Sequence, residues 1–289
     1  MKEQIFILEN YNSFNPKHIF ECGQCFRWNP NNDGSYTGVF KNNVLNVKKE
    51  DNKIIFRGIC EENIIKTCIN YFDLDTDYTE IKKKLASIDN NLKTSVEYGE
   101  GIRILNQDLW ETLISFIISA NNNIPRIKGI IERLSKTYGK PIVWNEDTYY
   151  TFPTPEELSK ANIEDLRKLG LGFRDKRVFE TTKMINENRE LLTKLQQEEN
   201  VELLREELNK FPGVGPKVAD CIMLFSLRKF NVFPIDVWVR RVMNELYIKS
   251  DDEAKVSKKQ IEKLAEEKYG NIAGLAQQYL FYWRRENVN

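Results

Sequence analysis

The chain has 289 residues, and its 43 Lys plus Arg are balanced by 43 Asp plus Glu, so the formal net charge is zero. A chain of this length can bury a substantial core and predicts two or three lobes. The balance excludes a strongly basic surface overall, so any contact with nucleic acid must rest on local clusters. Basic residues do cluster at Arg126 and Lys128, at Arg174, Lys176 and Arg177, and at Arg240 and Arg241.

Membrane and disulfide-rich classes are not indicated. No apolar run approaches the roughly 20 residues of a membrane span, and the N-terminal M-K-E-Q-I-F lacks the apolar segment of a secretory signal. We therefore expect a cytoplasmic protein. Its five cysteines form an odd, scattered set, which predicts reduced thiols. Cys22 and Cys25 form a lone C-x-x-C without a second pair, so we expect no zinc site.

The first 95 residues read as strands separated by turns. Segments such as Y-T-G-V-F, N-V-L-N-V and K-I-I-F-R-G are punctuated by N-N-D-G and K-E-D-N. We predict an antiparallel β-rich domain over residues 1–95. Helical spacing takes over at about Gly99, and one apolar stripe contains Trp110, Leu113, Ile114, Ile117 and Ile118. We predict a mostly helical domain over residues 96–289, which gives an α+β fold.

A turn between two helical patterns lies at F-P-G-V-G, residues 211–215. Pro212 and the two glycines stop the first helix, while Pro216 suits the first turn of the second. The backbone N–H groups of Gly213, Val214 and Gly215 are predicted to face outward as an anion-binding nest beside a helix N-terminus. Such a nest would hold a phosphate by its geometry and read no base.

An amine and a carboxylate flank this hairpin in a way that allows them to meet. Lys217 follows the hairpin directly, and Asp236 lies 19 residues on, before the helical pattern V-W-V-R-R-V-M. We predict that Asp236 caps this helix, where backbone N–H bonds and the helix dipole keep it ionised. An ionised carboxylate beside a sugar can stabilise positive charge at its anomeric carbon. A neutral Lys217 could then attack that carbon and form a Schiff base, provided that its surroundings lower its pKa.

These residues carry a resemblance to a known family. The segments L-N-K-F-P-G-V-G-P-K-V-A-D-C, residues 208–221, and P-I-D-V, residues 234–237, resemble the helix-hairpin-helix (HhH-GPD) DNA glycosylase superfamily. Within it the match is most similar to the 8-oxoguanine DNA glycosylase family. The resemblance implies an N-terminal antiparallel β-rich lobe and a helical two-lobed domain, with the hairpin at 208–227 and the lesion cleft between the lobes.

The resemblance also implies an activity, that of a monomeric, bifunctional enzyme of base-excision DNA repair. Such an enzyme removes 8-oxoguanine from double-stranded DNA and then cleaves the strand by β-elimination. Lys217 would be the nucleophile and Asp236 the stabilising carboxylate. No redox cofactor or catalytic metal is implied, although the hairpin carbonyls offer a site for a structural cation. Related branches carry a four-cysteine iron–sulfur loop near the C-terminus, and the lack of cysteine after Cys221 excludes that cluster here.

Two further segments are similar to the family's base pocket. In E-C-G-Q-C-F-R-W, residues 21–28, the carbonyl of Gly23 would accept the N7 hydrogen that 8-oxoguanine has and guanine lacks. In G-L-A-Q-Q-Y-L-F, residues 274–281, Gln277 would bond the pairing edge of the base. The flipped purine would stack between Phe281 and Cys221, with its sugar near Lys217.

A third pair of segments would handle the partner base. In S-A-N-N-N-I-P-R-I, residues 119–127, and L-G-L-G-F-R-D-K-R, residues 169–177, the resemblance implies that Asn121 fills the gap left by the flipped base. Phe173 would wedge beside the orphaned base, and Arg126 and Arg174 would contact a cytosine.

The chain departs from the eukaryotic members at three places. It has Trp238 two residues after the aspartate, where those members have histidine, and Arg284 where they have an acidic residue. Together these changes imply a rearranged contact to the phosphate 5′ of the lesion. Phe173 replaces a tyrosine. His18 is the chain's one histidine, so no histidine can perform acid–base work in the pocket.

Alternatives remain at this stage. Gly23 could serve a tight turn with Gln24 exposed, Phe281 and Cys221 could be core residues, and the arginines could meet phosphates. At the level of function, the alternatives are a non-catalytic helix-hairpin-helix protein that binds damaged or branched DNA, and a glycosylase for alkylated purines. The first predicts binding that is indifferent to Lys217 and Asp236, whereas the second would use the aspartate without the lysine.

Overall fold

An antiparallel sheet occupies the N-terminal part of the computed structural model, which describes residues 1–252 and 255–287. The sheet order is β1-β5-β4-β3-β2. Its strands are β1 (Lys2–Leu8), β2 (Trp28–Pro30), β3 (Tyr36–Phe40), β4 (Asn43–Glu50) and β5 (Lys53–Cys60). Asp51 adopts a left-handed φ of 50° at the tight β4–β5 turn, within the predicted K-E-D-N turn. The antiparallel sheet is therefore confirmed.

Aromatic side chains fill the core between the sheet and the helices that cover it. Phe20, on α1 (Pro16–Glu21), stacks on Trp28 with ring centroids 4.2 Å apart. The indole N–H of Trp28 donates to the Tyr71 hydroxyl at 3.0 Å, which ties the sheet to α2 (Ile64–Tyr71). The strands end at Cys60, so the stretch from there to residue 95 is helical where strands were predicted. The division of the chain at residues 95 and 96 stays a prediction.

Helices form the rest of the fold, apart from a short hairpin of β6 (Pro141–Trp144) and β7 (Asp147–Tyr150) that the sequence reading missed. The remaining helices are α3 (Tyr78–Ala86), α4 (Asn90–Tyr98), α5 (Leu109–Ser119), α6 (Ile124–Tyr138), α7 (Pro155–Leu158), α8 (Ile163–Lys168), α9 (Asp175–Glu187), α10 (Leu191–Gln197), α11 (Val201–Leu208), α12 (Pro216–Ser226), α13 (Val237–Met243), α14 (Lys258–Tyr269) and α15 (Ala273–Glu286). Among the described residues, no helix is long and apolar enough to cross a membrane.

The helical part divides around α5 and α12, which pack against each other at its centre. The apolar stripe predicted on α5 is buried, from Trp110 to Ile118. On one side α5 contacts α6 and α9, and on the other α15 packs against α4 and α13. Because α3 and α4 join the C-terminal helices, the two ends of the chain meet in one lobe. A cleft lies where α5, α12 and α15 meet.

Gln24 links the β-rich lobe to the segment that leads into α5. Its side chain is fully buried, donates to the carbonyls of Ile19 and Arg103, and accepts from the N–H of Leu105. The alternative in which Gln24 is exposed is therefore wrong. All donors and acceptors of this amide form hydrogen bonds with backbone groups, which offset the free-energy cost of burying it. The neighbouring Gly23 is thus anchored from its C-terminal side.

Glu111 gives a pH-dependent prediction for stability. Burial raises its pKa to about 7, against the opposing charge of Arg27, whose Nη1 lies 3.9 Å from the carboxylate. A folded-state pKa above the unfolded value means that stability falls as pH rises from about 4.3 towards 7. We expect Glu111→Gln to raise the free energy of unfolding by about 1–3 kcal/mol at pH 8. At pH 5 native and variant should differ little, and chemical denaturation at both pH values checks this. An equal difference at the two pH values would contradict the assignment.

Candidate active site

The hairpin joins two helices, as predicted for a helix-hairpin-helix motif. Helix α11 ends at Leu208 and α12 begins at Pro216, with Gly215 as its N-cap residue. Gly213 has a φ of +86°, a left-handed conformation that strains any residue with a Cβ. A Cβ there would also come within 2.5 Å of Cδ of Arg177. The backbone conformation therefore favours glycine at position 213, and a Cβ there would also displace the Arg177 side chain.

The three hairpin amides differ in their availability. The N–H of Val214 donates to the Phe211 carbonyl at 3.0 Å and closes the turn, and the Val214 side chain is buried. Gly215 is exposed, and a Cβ built on it would meet nothing within 4 Å. Phosphate binding by all three residues stays a prediction. Gly213 and Gly215 can offer amides, while Val214 shapes the turn.

Lys217 extends from the first turn of α12 into the cleft. Its Nζ lies 5.5 Å from the ring centroid of Phe116, and Cys221 lies one turn further along the helix. Burial acts to lower the pKa of Lys217, but its interactions with Cys221 and Asp236 act to raise it, and its pKa lies above the usual value. The lowered pKa that the sequence reading required is therefore not found. Lys217 carries a proton in the protein without DNA.

Asp236 caps α13 as predicted. Its Oδ1 accepts the N–H of Val239 at 2.8 Å. The segment before it, residues 232–235, is buried, and Asp236 itself lines the cavity. Since the cap uses one oxygen, the other oxygen can face the substrate.

One cavity collects the predicted catalytic and base-pocket residues. Its walls include Gly23, Lys217, Cys221, Asp236, Gln277 and Phe281. These side chains come from three separate parts of the chain, as the sequence reading required. The cavity is small, with a volume of about 40 Å³, and it opens to solvent.

Gln277 brings an unsatisfied polar atom to this cavity. It is 5% exposed, and its Oε1 has no hydrogen-bond partner among the described residues. A buried acceptor without a partner is costly unless a ligand completes it. Phe281 is half-buried beside it, with one ring atom 3.1 Å from a Cβ built on Gly23. Gly23 has a φ of +85°, so both its conformation and the nearby ring favour glycine.

The segments predicted to meet the partner base form one surface. Asn121 is exposed with a left-handed φ of 51° at the end of α5, and the Phe173 side chain is 55% exposed. Arg126 is exposed near the Gly170 carbonyl. Arg174, by contrast, is only 2% exposed. It donates to the carbonyls of Ala120, Asn121 and Leu171.

Arg174 therefore positions the loop that carries Asn121. Four of its five N–H groups point to backbone carbonyls, which leaves one on Nη1. Its guanidinium lies 4.2 Å from the Phe173 ring centroid, so it also supports the exposed ring. Contact of Arg126 and Arg174 with a cytosine stays a prediction, and Arg174 has little capacity left for it.

Two family models together cover most of the chain. The model described as "HhH-GPD superfamily base excision DNA repair protein" matches residues 114–269, and that of the "8-oxoguanine DNA glycosylase, N-terminal domain" matches residues 6–113. The chain belongs to the 8-oxoguanine DNA glycosylase family of the HhH-GPD superfamily.

Proteins similar to this chain include one with a solved structure and two curated proteins. It is 44% identical to an 8-oxoguanine glycosylase/lyase of Clostridium acetobutylicum, solved with double-stranded DNA containing cytosine opposite 8-oxoguanine. That match covers 99% of this chain and 97% of the other, with a TM-score of 0.93. An N-glycosylase/DNA lyase of Saccharomyces cerevisiae is 34% identical, with 80% of this chain and 67% of the relative covered. A probable N-glycosylase/DNA lyase of Methanothermobacter thermautotrophicus is 32% identical, with 75% and 72% covered.

The departures from eukaryotic family members have structural counterparts. Arg284 forms an ion pair with Glu245 at 2.9 Å. The Trp238 ring lies 5.4 Å from the guanidinium carbon of Arg241. His18 accepts the N–H of Gly101 and lies outside the residues that line the active-site cavity. Arg284 and Trp238 therefore make two separate contacts, whereas eukaryotic family members pair a histidine with an acidic residue at these positions.

No metal cluster supports a cofactor in the described part of the chain. There, no group of three or more His, Cys, Asp or Glu residues could hold a metal ion. All five cysteines are free and buried. Cys22 and Cys25 have pKa values raised by burial, so neither is poised as a thiolate ligand.

Arg177 is a DNA-contact candidate that the sequence reading placed only within a basic cluster. Its side chain lies against Gly213 of the hairpin, and its guanidinium is 5.1 Å from the Phe173 ring centroid. It thus lies between the hairpin turn and the predicted wedge. We expect Arg177→Ala to weaken binding to damaged and undamaged duplexes equally, by roughly five- to tenfold, and to reduce the salt slope by about 1.

Binding titrations at several salt concentrations measure this effect. The matched control is Lys183→Ala, which removes an exposed cation from the same helix, where Lys183 pairs with Glu187. The control should bind as the native protein does. An unchanged salt slope in Arg177→Ala would remove Arg177 from the DNA interface.

Proposed function

We propose that this protein excises 8-oxoguanine paired with cytosine from double-stranded DNA and then cleaves the strand at the resulting site. The observation that carries the proposal is the shared cavity, which joins an amine, a carboxylate, a glycine and an unsatisfied glutamine oxygen. Relatives named N-glycosylase/DNA lyase support the two linked activities. The Clostridium relative was solved with cytosine opposite 8-oxoguanine, which supports the substrate.

The chemistry follows from Lys217 and Asp236. The carboxylate of Asp236 stabilises the positive charge that develops on the sugar as the C1′–N9 bond breaks. The bonding electrons leave with the base, and the amine nitrogen of Lys217 forms a bond to C1′. After a second proton leaves nitrogen, the C1′–O4′ bond breaks, O4′ takes the bonding electrons and a proton, and the nitrogen lone pair forms the C=N bond of a protonated Schiff base. Loss of a C2′ proton then expels the 3′ phosphate by β-elimination, which cleaves the strand.

Proton transfer has to precede the attack. Lys217 is an ammonium in the protein without DNA, because Cys221 and Asp236 outweigh the effect of burial on its pKa. A bound duplex removes further water from the cleft, which shifts the balance towards the neutral amine. The departing base leaves as an anion and can take the proton that the ammonium sheds. Lysine and leaving group then exchange one proton within the closed cleft.

Recognition of the base rests on two opposed walls. The Gly23 carbonyl accepts the N7 hydrogen of 8-oxoguanine, and guanine would present a lone pair there instead. The Oε1 of Gln277 accepts an N–H of the purine's pairing edge, which supplies its missing partner. Phe281 and Cys221 stack on the two faces of the base. Both residues line the cavity, on helices α15 and α12.

The surrounding residues complete the proposal. Asn121 fills the vacated position in the duplex, Phe173 wedges beside the orphaned base, and Arg126 with the remaining Nη1 donor of Arg174 contacts cytosine. Gly213 and Gly215 bind a phosphate. The enzyme acts in the cytoplasm as a monomer and needs no cofactor, although a structural cation can occupy the hairpin carbonyls.

Borohydride trapping tests the function. Duplexes carry one 8-oxoguanine opposite each of the four bases, and a further duplex carries a methylated adenine. We expect a covalent adduct with the native protein on 8-oxoguanine, strongest opposite cytosine. Release of methylated adenine without an adduct would favour the alkylated-purine glycosylase. Binding without any base release would favour the non-catalytic module. The comparisons favour neither alternative.

A further inference from the structure

The carbonyls of three consecutive residues in the 22–24 loop have different partners. Gln278 donates from its side chain to the Cys22 carbonyl at 2.5 Å, and Gln107 donates to the Gln24 carbonyl at 2.7 Å. Within the described residues, no hydrogen bond reaches the Gly23 carbonyl between them. Gly23 also lines the active-site cavity. Two side-chain amides thus hold the loop and leave its central carbonyl open to a ligand.

The two donors come from different parts of the helical domain. Gln278 is 2% exposed and follows Gln277 on α15, whereas Gln107 precedes α5, and its own N–H donates to the Phe225 carbonyl of α12. The loop is therefore held from the helix that carries the base-pocket glutamine and from the start of the central helix. Movement of the 22–24 loop away from the cavity would break both hydrogen bonds.

Rigidity matters here because discrimination against guanine depends on repulsion. A carbonyl facing the N7 lone pair of guanine excludes that base only if the carbonyl cannot retreat. A glycine can adopt a wide range of φ and ψ, so Gly23 cannot by itself keep its carbonyl in place. Its fixed position must then come from its neighbours. Gln24 contributes through its fully satisfied buried side chain, and the two flanking carbonyls contribute through Gln278 and Gln107.

We propose that Gln278 and Gln107 are positioning residues for lesion specificity, which hold the Gly23 carbonyl so that it distinguishes 8-oxoguanine from guanine. The inference rests on the proposed reading of N7 by Gly23. Gln107 lies outside the residues that line the cavity, whereas Gln278 is among them, and the role assigned to Gln278 here is its hydrogen bond to the Cys22 carbonyl. Gln278 has no role assigned to it within G-L-A-Q-Q-Y-L-F, residues 274–281, and Gln107 lies outside every motif quoted above.

Binding competition in a Lys217→Gln background separates specificity from chemistry. Three duplexes carry 8-oxoguanine, guanine or a tetrahydrofuran abasic analogue opposite cytosine. Gln278→Met and Gln107→Met keep the length of the side chain and remove its donor. We expect each to reduce the ratio of affinities for 8-oxoguanine over guanine by about tenfold, because a buried carbonyl loses its partner and the loop can move. Affinity for the abasic analogue, which has no base, should not change.

The matched control is Tyr279→Phe, which removes a buried donor to the Ile102 carbonyl from the same helix. It should retain the native ratio. If one glutamine variant fails to fold, as thermal melting would reveal, the other reports on the same loop. A native ratio in a folded glutamine variant, or equal losses on all three duplexes, would overturn the positioning role. If the parent protein does not prefer 8-oxoguanine, the proposed function fails instead.

Discussion

Replacement of Lys217 by glutamine should abolish the covalent adduct with DNA and lower base release by at least about 1,000-fold. The amide has no lone pair that can attack the sugar, and no other amine lines the cavity described for the active site. Borohydride trapping and single-turnover excision on 8-oxoguanine opposite cytosine measure the two effects. Binding should persist, because the hairpin and the partner-base surface are unchanged.

Lys210→Gln is the matched control for this substitution. Lys210 is exposed, lies just before the turn at residues 211–215 and pairs with Glu207. Its replacement changes charge and side-chain type near the site without touching the cavity, so adduct yield should remain native. Persistent base release in Lys217→Gln, with only the adduct lost, would mean that water attacks the sugar and that Lys217 serves the lyase step alone.

Local features of the site were predictable because local chemistry determines them. Glycine and proline fix the turn between Leu208 and Pro216, and an aspartate before an amphipathic run gives the N-cap at Asp236. The apolar stripe of α5 has helical spacing and is buried. These features depend on residues within about one helical turn, so the sequence carries their full signal.

Features that depend on distant partners were missed or misjudged. The β6–β7 hairpin is short and is stabilised in part by Trp144, which packs with Val39 and Val44 of the N-terminal sheet. Gln24 is buried only because Arg103 and Leu105 supply its partners. Arg174 looks like a surface arginine in the sequence, and the carbonyls that bury it belong to a loop more than 50 residues away.

The pKa of Lys217 also depends on residues elsewhere in the chain. The sequence identifies the amine, whose proposed attack on the sugar needs a lowered pKa, and burial alone would lower it. The opposing contributions come from Cys221, one helical turn away, and from Asp236 across the loop. These contributions depend on how the fold brings α12 and the start of α13 together, which the residues next to Lys217 in the sequence do not show.

Asp236→Asn should lower the rate of base release by about 100- to 1,000-fold while changing stability little. The catalytic effect follows from the loss of a negative charge beside the sugar cation. The structural effect is small because asparagine caps a helix about as well as aspartate, and its Oδ1 can still accept the N–H of Val239. Single-turnover excision and thermal melting together separate the two consequences.

The control for this pair of measurements is Asp108→Asn, the same change at the N-cap of α5, where Asp108 accepts the N–H of Glu111. Both variants should melt close to the native protein, and only Asp236→Asn should lose activity. A further variant, Asp236→Ala, removes cap and charge together and should lose about 1 kcal/mol of stability in addition. If Asp236→Asn excised the base at the native rate, the carboxylate would be a helix cap only, and stabilisation of the sugar cation would have to come from another group.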